Sequence, residues 1–244
     1  MLIMSKKLKI FLGISYLLIL SIFLYFIFLQ VDLTRLNDFS YYKELQVNLD
    51  SFIGKNFYIN LAIFSLFCIV WVALLGFGSP LLLISGILFG KWFGTFVSAI
   101  SISVGALILY SIANFFFKDL VKKLLEKKFL KYFHLFKKNE FYYFFIFRFI
   151  GGLGIPFPLQ NILPVIFNMK KINYFFASVL GLVPVFFIWN TIGSGINNFI
   201  KDSENFSLTK LIFSKEIYLP ISMFVIFIFI TLIVKNLFFN VSNK

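Results

Sequence analysis

Four long stretches of this chain contain no Asp, Glu, Lys or Arg, and they limit the folds that it can adopt. Each is long enough to enter the hydrocarbon core of a bilayer, which a straight helix crosses with about 20 apolar residues. A transmembrane barrel would instead show short strands of about 10 residues with alternating polarity. We therefore predict an all-α polytopic membrane protein. The stretches are residues 56–90, 92–117, 149–169 and 172–200.

The charges between these stretches predict how the chain is threaded through the membrane. Segment 118–140 carries eight lysines against three acids, and lysines also occur near both ends of the chain. Cytoplasmic loops are enriched in lysine and arginine, whereas segment 32–55 is nearly balanced, with four acids and three bases. We therefore expect a multi-pass protein of the cell (inner) membrane, with cytoplasmic N- and C-termini and segment 32–55 outside.

Two of the apolar stretches are interrupted by glycine and proline. Residues 76–80 read Gly-Phe-Gly-Ser-Pro, and residues 151–158 read Gly-Gly-Leu-Gly-Ile-Pro-Phe-Pro. Such residues end helices, and segment 118–140 lies inside only if the first interrupted stretch enters and leaves the membrane on one side. We predict two re-entrant hairpins in an inverted repeat, each followed by a transmembrane helix. The alternative is that both interruptions are kinks in ordinary spanning helices.

The predicted organisation is a core with one transmembrane helix added at each end. Residues 1–56 are expected to form the N-terminal transmembrane helix and an outer loop, and residues 196–244 an outer loop and the C-terminal transmembrane helix. Several glycines of the core are expected at close contacts between helices, namely Gly86, Gly90, Gly94 and Gly105. The core, residues 57–195, is predicted to contain a hairpin (57–90), a transmembrane helix (95–117), a basic surface helix (118–140), a second hairpin (141–167) and a second transmembrane helix (173–192).

Arg148 is the only charged residue between Glu140 and Lys170. The chain has 21 lysines but only two arginines, and the other, Arg35, lies in an ordinary charged loop. An ionisable group at membrane depth usually faces a cavity or a partner and marks a functional site. Arginine stays protonated there and can bind a phosphate or carboxylate through two nitrogens. We predict that Arg148 binds substrate; the alternative is that it reaches the inner surface or holds carbonyls of its own hairpin.

The interruptions themselves offer further groups for binding. Backbone amides and carbonyls that a broken helix leaves free can bind ions or headgroups, and the amides of Gln160 and Asn161 add neutral hydrogen-bonding groups. The predicted substrate-binding residues are Arg148, Asn161, Gly78, Ser79, Pro80, Gly154, Pro156 and Pro158.

The lysine-rich segment between the two halves has apolar residues at helical spacing. This pattern favours a helix that lies on the inner membrane surface, where each lysine near anionic headgroups contributes about 1 kcal/mol. The alternative is a solvated cytoplasmic connector. The predicted membrane-surface residues are Lys122, Lys123, Lys127, Lys128 and Lys131.

Other classes of function find little support in the sequence. Cys68 and His134 are the only residues of their types, so we expect no metal site and no cofactor. No base lies beside a candidate nucleophile, and we do not expect an enzyme. The net charge of +13 could indicate nucleic acid, but most of the excess lysine falls at membrane boundaries. The expected partners are therefore membrane lipids, with anionic headgroups at the inner surface, and no nucleic acid.

Three groups of residues, in this order, resemble motifs of the DedA/VTT superfamily, in particular its SNARE-associated Golgi protein branch. The resemblance covers residues 57–195. Members of the DedA type carry acidic residues in the first hairpin that are thought to couple to protons. This chain has no acid there, so proton coupling through such a carboxylate is in doubt. The groups are Gly78-Ser-Pro80 with Gly86, Phe89-Gly90 and Gly94; Phe144-x-x-x-Arg148 with Pro156-Phe-x-x-x-Asn161; and Gly181-Leu-Val-Pro184 with Gly193.

The resemblance implies two facing re-entrant hairpins and the translocation or scrambling of lipids. Bacterial members of that family are associated with recycling of the undecaprenyl phosphate carrier and with the proton-motive force. We therefore expect an integral membrane transporter of a lipid with a phosphate headgroup, in which only the arginine of the family pattern carries over, onto Arg148. The alternatives are a non-transporting membrane protein that supports envelope assembly or recruits partners, and a carrier of small anions.

Overall fold

The computed structural model describes residues 39–116, 118–129, 138–202 and 213–239, and the single residues 18, 21, 35, 136 and 210. This part of the chain is helical and contains no strand. Short 3-10 turns occupy Gly151–Gly154 and Leu163–Val165. The helices in chain order are α1 (Phe39–Lys55), α2 (Phe57–Ala73), α3 (Ser79–Phe89), α4 (Lys91–Phe116), α5 (Lys118–Phe129), α6 (Glu140–Phe149), α7 (Phe157–Ile162), α8 (Lys171–Asp202) and α9 (Lys215–Phe239).

The chain divides into two compact units, residues 1–45 and 46–244. In the first unit, Arg35 and Glu44 form an exposed ion pair with an N–O distance of 3.1 Å. The predicted N-terminal transmembrane helix lies outside the described residues.

Two helices of the described residues, α4 and α8, are long and apolar enough to cross a membrane. A third span is added if the bent pair of helices on either side of Asn56 counts as one. The predicted class, an all-α polytopic membrane protein, is confirmed. The apolar part of α9, Ile217–Ile230, is shorter, and the C-terminal crossing stays a prediction.

Two segments that the sequence assigns to outer loops contain helix, and their position outside the membrane stays a prediction. α1 covers most of segment 32–55; no glycine or proline interrupts residues 39–53, and Gln46 Nε2 donates to Asp50 Oδ2 one turn away at 2.6 Å. α8 continues ten residues beyond its predicted end at Ile192, through Gly193 to Asp202. Gly193 is a packing residue of this helix, not a helix end, since a Cβ built on it would lie 2.2 Å from the carbonyl oxygen of Leu83.

The first interrupted stretch, α2 and α3 with residues 74–78 between them, reverses the direction of the chain. The Phe57 ring at its beginning lies 6.0 Å from the Phe89 ring at its end. A helix of 17 residues is about 25 Å long, so the turn at residues 74–78 lies far from both of these ends. Leu75 adopts a positive φ of 67° at this turn, and Trp71 Nε1 donates to the carbonyl of Phe77 at 3.0 Å.

The second interrupted stretch, from α6 to the 3-10 turn Leu163–Val165, also returns to its starting point. The Glu140 carboxylate at its beginning accepts hydrogen bonds from the Lys170 backbone N–H at 3.2 Å and from Asn173 Nδ2 at 2.7 Å. Three glycines at its turn have positive φ, a region that favours glycine. They are Gly151 (70°), Gly152 (72°) and Gly154 (77°).

The two long helices run antiparallel, and each interrupted stretch packs on both of them. The Tyr110 and Tyr174 rings stack at 4.7 Å, while Gly94 of α4 lies against Asn190 of α8. The first arms, α2 and α6, pack on the long helix that follows each of them. The second arms, α3 and α7, pack on the long helix of the other half. The contacts of the first half therefore have counterparts in the second half.

Three of the four glycines expected at helix contacts are confirmed there. A Cβ on Gly86, Gly94 or Gly105 would lie less than 3.0 Å from a backbone carbonyl oxygen of a neighbouring helix. The predicted helix contact at Gly90 is wrong, because a Cβ built on it meets no atom within 4 Å. Gly90 instead provides a φ of 74° just before α4, and Asn168 provides a φ of 53° three residues before α8.

Candidate functional site

Arg148 lies in the last turn of α6 and is completely buried. α6 begins with Asn139, whose side chain accepts a hydrogen bond from the Tyr142 backbone N–H at 3.0 Å, an N-cap typical of asparagine. Gly181 of α8 allows the two helices to approach at this level, since a Cβ on it would lie only 2.6 Å from Arg148 Cβ. Arg148 is therefore held between two packed helices and does not reach the surface of the protein.

The Arg148 guanidinium donates hydrogen bonds to neutral side chains. Nη1 donates to Gln160 Oε1 at 3.2 Å, and Nη2 donates to Asn161 Oδ1 at 2.6 Å and to the Tyr174 hydroxyl at 3.1 Å. Two of these acceptors belong to the second interrupted stretch and one to α8. The described residues supply no carboxylate to this cluster, so its positive charge is not neutralised.

Aromatic rings enclose the same guanidinium. Its Cζ atom lies 4.9 Å from the centre of the Phe144 ring, 5.6 Å from that of Phe157 and 5.8 Å from that of Tyr174. The negative face of an aromatic ring attracts a cation, by about 2 kcal/mol or more when both are desolvated. These rings stabilise the charge without satisfying its hydrogen-bonding groups.

Two buried donors of this cluster have no acceptor among the described residues. They are Arg148 Nε and Asn161 Nδ2. A buried polar group left without a partner costs about 1–3 kcal/mol, and more when it is charged. The cluster therefore combines an uncompensated positive charge with unused donors, which is the chemistry of a site for an acceptor or an anion.

The predicted site residues have different positions. Asn161 contacts Arg148 directly, as does Gln160. Gly78 is buried, and a Cβ on it would lie 3.7 Å from the Phe157 ring, so the two interruptions meet through the ring that covers the arginine. Among the described residues, the polar contacts of Arg148 are side-chain contacts and none comes from the broken backbone. The remaining predicted residues, which are exposed or half-buried, are Ser79, Pro80, Gly154, Pro156 and Pro158.

Tyr174 is a residue of the candidate site that sequence reasoning missed. Its hydroxyl accepts from Arg148 and lies 3.2 Å from two carbonyl oxygens, those of Ala106 in α4 and Asn161 in the second interrupted stretch. A tyrosine buried near the start of a long apolar helix needs a hydrogen-bond partner, which was the available signal. Its separation of 26 residues from Arg148 hid the contact.

The basic segment begins as the predicted helix, α5. Val121 is buried and Lys123 is exposed, with Lys122 half-buried between them, as expected for a helix with one packed face. Lys118 Nζ donates to Asn168 Oδ1 at 2.8 Å, which ties α5 to the end of the second interrupted stretch. The side chains of Lys127, Lys128 and Lys131 lie outside the described residues, and contact with headgroups stays a prediction.

A helical membrane protein with a buried arginine beside two facing interruptions is the class that this geometry defines. Residues 75–195 match the family model of the VTT domain. The chain belongs to this family, the DedA/SNARE-associated family, whose members are in general membrane proteins for which transport or lipid flipping is the proposed activity. The matched region is about half of the chain and includes both interruptions, Arg148 and its hydrogen-bonding partners. No solved structure matches the chain.

Proposed function

We propose that this protein is a transporter, not an enzyme, that moves a lipid with a phosphate headgroup across the cell membrane, and that Arg148 binds the phosphate. The buried, uncompensated charge of Arg148 is the observation that carries the proposal. In this arrangement both termini are cytoplasmic, α4 and α8 span the bilayer, and the two interrupted stretches are re-entrant hairpins that meet inside it.

The contacts between helices support this membrane arrangement. The two stretches each return to their starting point. The second arm of each stretch packs on the long helix of the other half, α3 on α8 and α7 on α4, which is the pattern expected of an inverted repeat. Irregular backbone at membrane depth is tolerated where protein or a wet cavity surrounds it. The turn of the first stretch meets this condition in part, because Gly78 is buried against Phe157.

The partners of Arg148 explain why an anion would bind there. Neutral acceptors satisfy three hydrogen bonds but leave the charge itself unpaired, and a buried charge is costly unless it is paired. A phosphate oxygen could accept from Nε and from Asn161 Nδ2 together, which are the two unused donors. Arginine presents its donors in a planar fork that suits phosphate oxygens.

The same geometry indicates what must move for a lipid to reach the arginine. Phe157 covers the guanidinium and also touches Gly78 of the first stretch. Separation of the two turns would remove this ring and expose Arg148 to a headgroup. Closure around neutral partners would return the site to its resting state, so the hydrogen bonds to Gln160 and Asn161 hold the arginine ready between cycles.

The proposal is tested with purified protein in liposomes that contain a fluorescent phospholipid, whose movement between leaflets is followed by quenching from outside. Arg148→Gln should reduce the rate by about 10- to 100-fold, the equivalent of losing a charged hydrogen bond of about 1.5–3 kcal/mol. Arg148→Lys keeps the positive charge but lacks the planar fork of donors, so its transport rate should lie between those of the wild type and Arg148→Gln.

Arg35→Gln is the matched control, because it removes the other arginine of the chain, which is exposed and paired with Glu44. It should leave the rate unchanged. A folded Arg148→Gln protein that moves lipid as fast as the wild type would contradict the role of Arg148. If the wild type moves no lipid, while deletion of residues 118–138 abolishes its effect in cells, partner recruitment through the basic segment is the better explanation.

A further inference from the structure

A second basic site lies at the other end of α8. A cavity of about 190 Å³ opens between the beginning of α4, the last third of α8 and the beginning of α9. Two lysines from different helices, Lys91 and Lys215, line it. We propose that this cavity binds a phosphate group, as the site where an anionic lipid headgroup docks on the outer side before it reaches Arg148.

The lining has the chemistry of an anion site. Beside the two ammonium groups it contains Ser194 and Asn198, whose side chains offer neutral hydrogen-bond donors, and Thr191, whose hydroxyl donates to the Phe187 carbonyl at 2.6 Å. No acidic residue belongs to the described lining. By contrast Lys201, about one turn beyond Asn198 on the same helix, is neutralised by Asp50 at an N–O distance of 2.7 Å.

If the chain has the topology of the proposed function, the position of these two lysines in the membrane is unusual. The beginnings of α4 and α9 face the outside in that topology, where lysine is not needed to fix the orientation of the chain. Two lysines that line one cavity there create a positive potential that favours an anion between them. Membrane topology alone therefore does not account for their placement together.

The apolar wall of the cavity indicates an amphipathic ligand. Leu219 and Pro220 of α9 form part of the lining, and α9 continues on the face of Leu219 with the exposed apolar side chains of Met223 and Ile226. A phosphate in the cavity would leave room for acyl chains along this face. The volume is below the roughly 300–1,000 Å³ of pockets that enclose drug-sized ligands, and it suits a headgroup alone.

α8 connects this cavity with Arg148. Gly181 packs on Arg148 and Thr191 lines the cavity, and these positions are ten residues or about 15 Å apart along the helix. A headgroup that leaves Lys91 and Lys215 would thus approach a second, more deeply buried positive charge. This inference rests on the proposed function for its direction of movement, but the anion site itself does not.

The test measures binding of dioctanoyl phosphatidic acid to the full-length protein in neutral detergent, in the wild type and in an Arg148→Gln background. Each of Lys91→Gln and Lys215→Gln should weaken binding about fivefold, and the double variant about 25-fold. Lys91→Arg with Lys215→Arg should retain binding. The matched control is Lys55→Gln, an exposed lysine outside the cavity, which should bind as the wild type does.

Two further probes identify the source of the phosphate. Dioctanoylglycerol, which lacks a phosphate, should not bind, and inorganic phosphate should compete weakly with the lipid. Inorganic phosphate that binds as tightly as phosphatidic acid would overturn the assignment to a lipid headgroup. A folded double variant that binds phosphatidic acid as the wild type does would overturn the site itself.

The transport assay separates this inference from the proposed function. Slow transport by the Lys91→Gln/Lys215→Gln variant supports both proposals. Wild-type transport by that variant refutes the docking site and leaves the role of Arg148 intact. If the wild-type protein moves no lipid, and the double variant has lost the phosphatidic acid binding that the wild type shows, the anion site stands and the proposed function fails.

Discussion

Tyr174→Phe should destabilise the protein through Arg148. The change removes one hydroxyl, which accepts from Arg148 Nη2 at 3.1 Å and lies 3.2 Å from the carbonyl oxygens of Ala106 and Asn161. A hydrogen bond to a charged group contributes about 1.5–3 kcal/mol, whereas interhelical bonds in membrane proteins average about 0.6 and reach about 1.7 kcal/mol. We expect a loss of about 1–2 kcal/mol in the free energy of unfolding.

The assay is equilibrium unfolding in mixed micelles, applied to a double-mutant cycle with Arg148→Gln. If the hydroxyl acts through the guanidinium, Tyr174→Phe should lose most of its effect in the Arg148→Gln background. Tyr110→Phe is the matched control, because its ring stacks on Tyr174 and its hydroxyl donates to the neutral Met169 carbonyl. Its effect should be the same in both backgrounds. Effects of Tyr174→Phe and Arg148→Gln that add within about 0.5 kcal/mol would refute this reasoning.

Two further predictions concern packing and coupling. Gly86→Ala and Gly193→Ala should each destabilise the protein by about 1–3 kcal/mol, because each new Cβ would lie 2.2 Å from a carbonyl oxygen of the facing helix. Gly54→Ala, where a Cβ meets nothing within 4 Å, should be neutral in the same unfolding measurement. Transport should vary less than threefold between about pH 5.5 and pH 8, because residues 51–118 contain no acid and arginine stays protonated. A tenfold change in rate over this range would contradict transport without a titrating carboxylate.

The sequence predicted those features that depend on local chemistry. Charge-free stretches identified α4 and α8, and runs of glycine and proline located both interruptions. Asn161 was predicted in the site because its side-chain amide offers neutral hydrogen-bonding groups beside the second interruption, and its Oδ1 accepts from Arg148.

Features that depend on distant contacts were not predictable in the same way. Tyr174 reaches Arg148 only because the second interrupted stretch turns back onto α8, and no spacing in the sequence reports that. Gly193 was interpreted as the end of a helix, although the carbonyl of Leu83 needs the space that glycine leaves. A glycine in an apolar stretch has the same appearance in sequence whether it ends a helix or packs against one.

α8 touches both halves of the molecule through glycine, and Pro184 lies between the two contacts. Gly193 packs on α3 and Gly181 on α6, twelve positions or about 18 Å apart. Proline removes the hydrogen bond to the carbonyl four residues earlier and permits bending. The distance between these two contacts along α8 therefore depends on the curvature of that helix. A small change in the bend of α8 at Pro184 would shift both contacts at once, so that movements of the two stretches would be coupled through this helix.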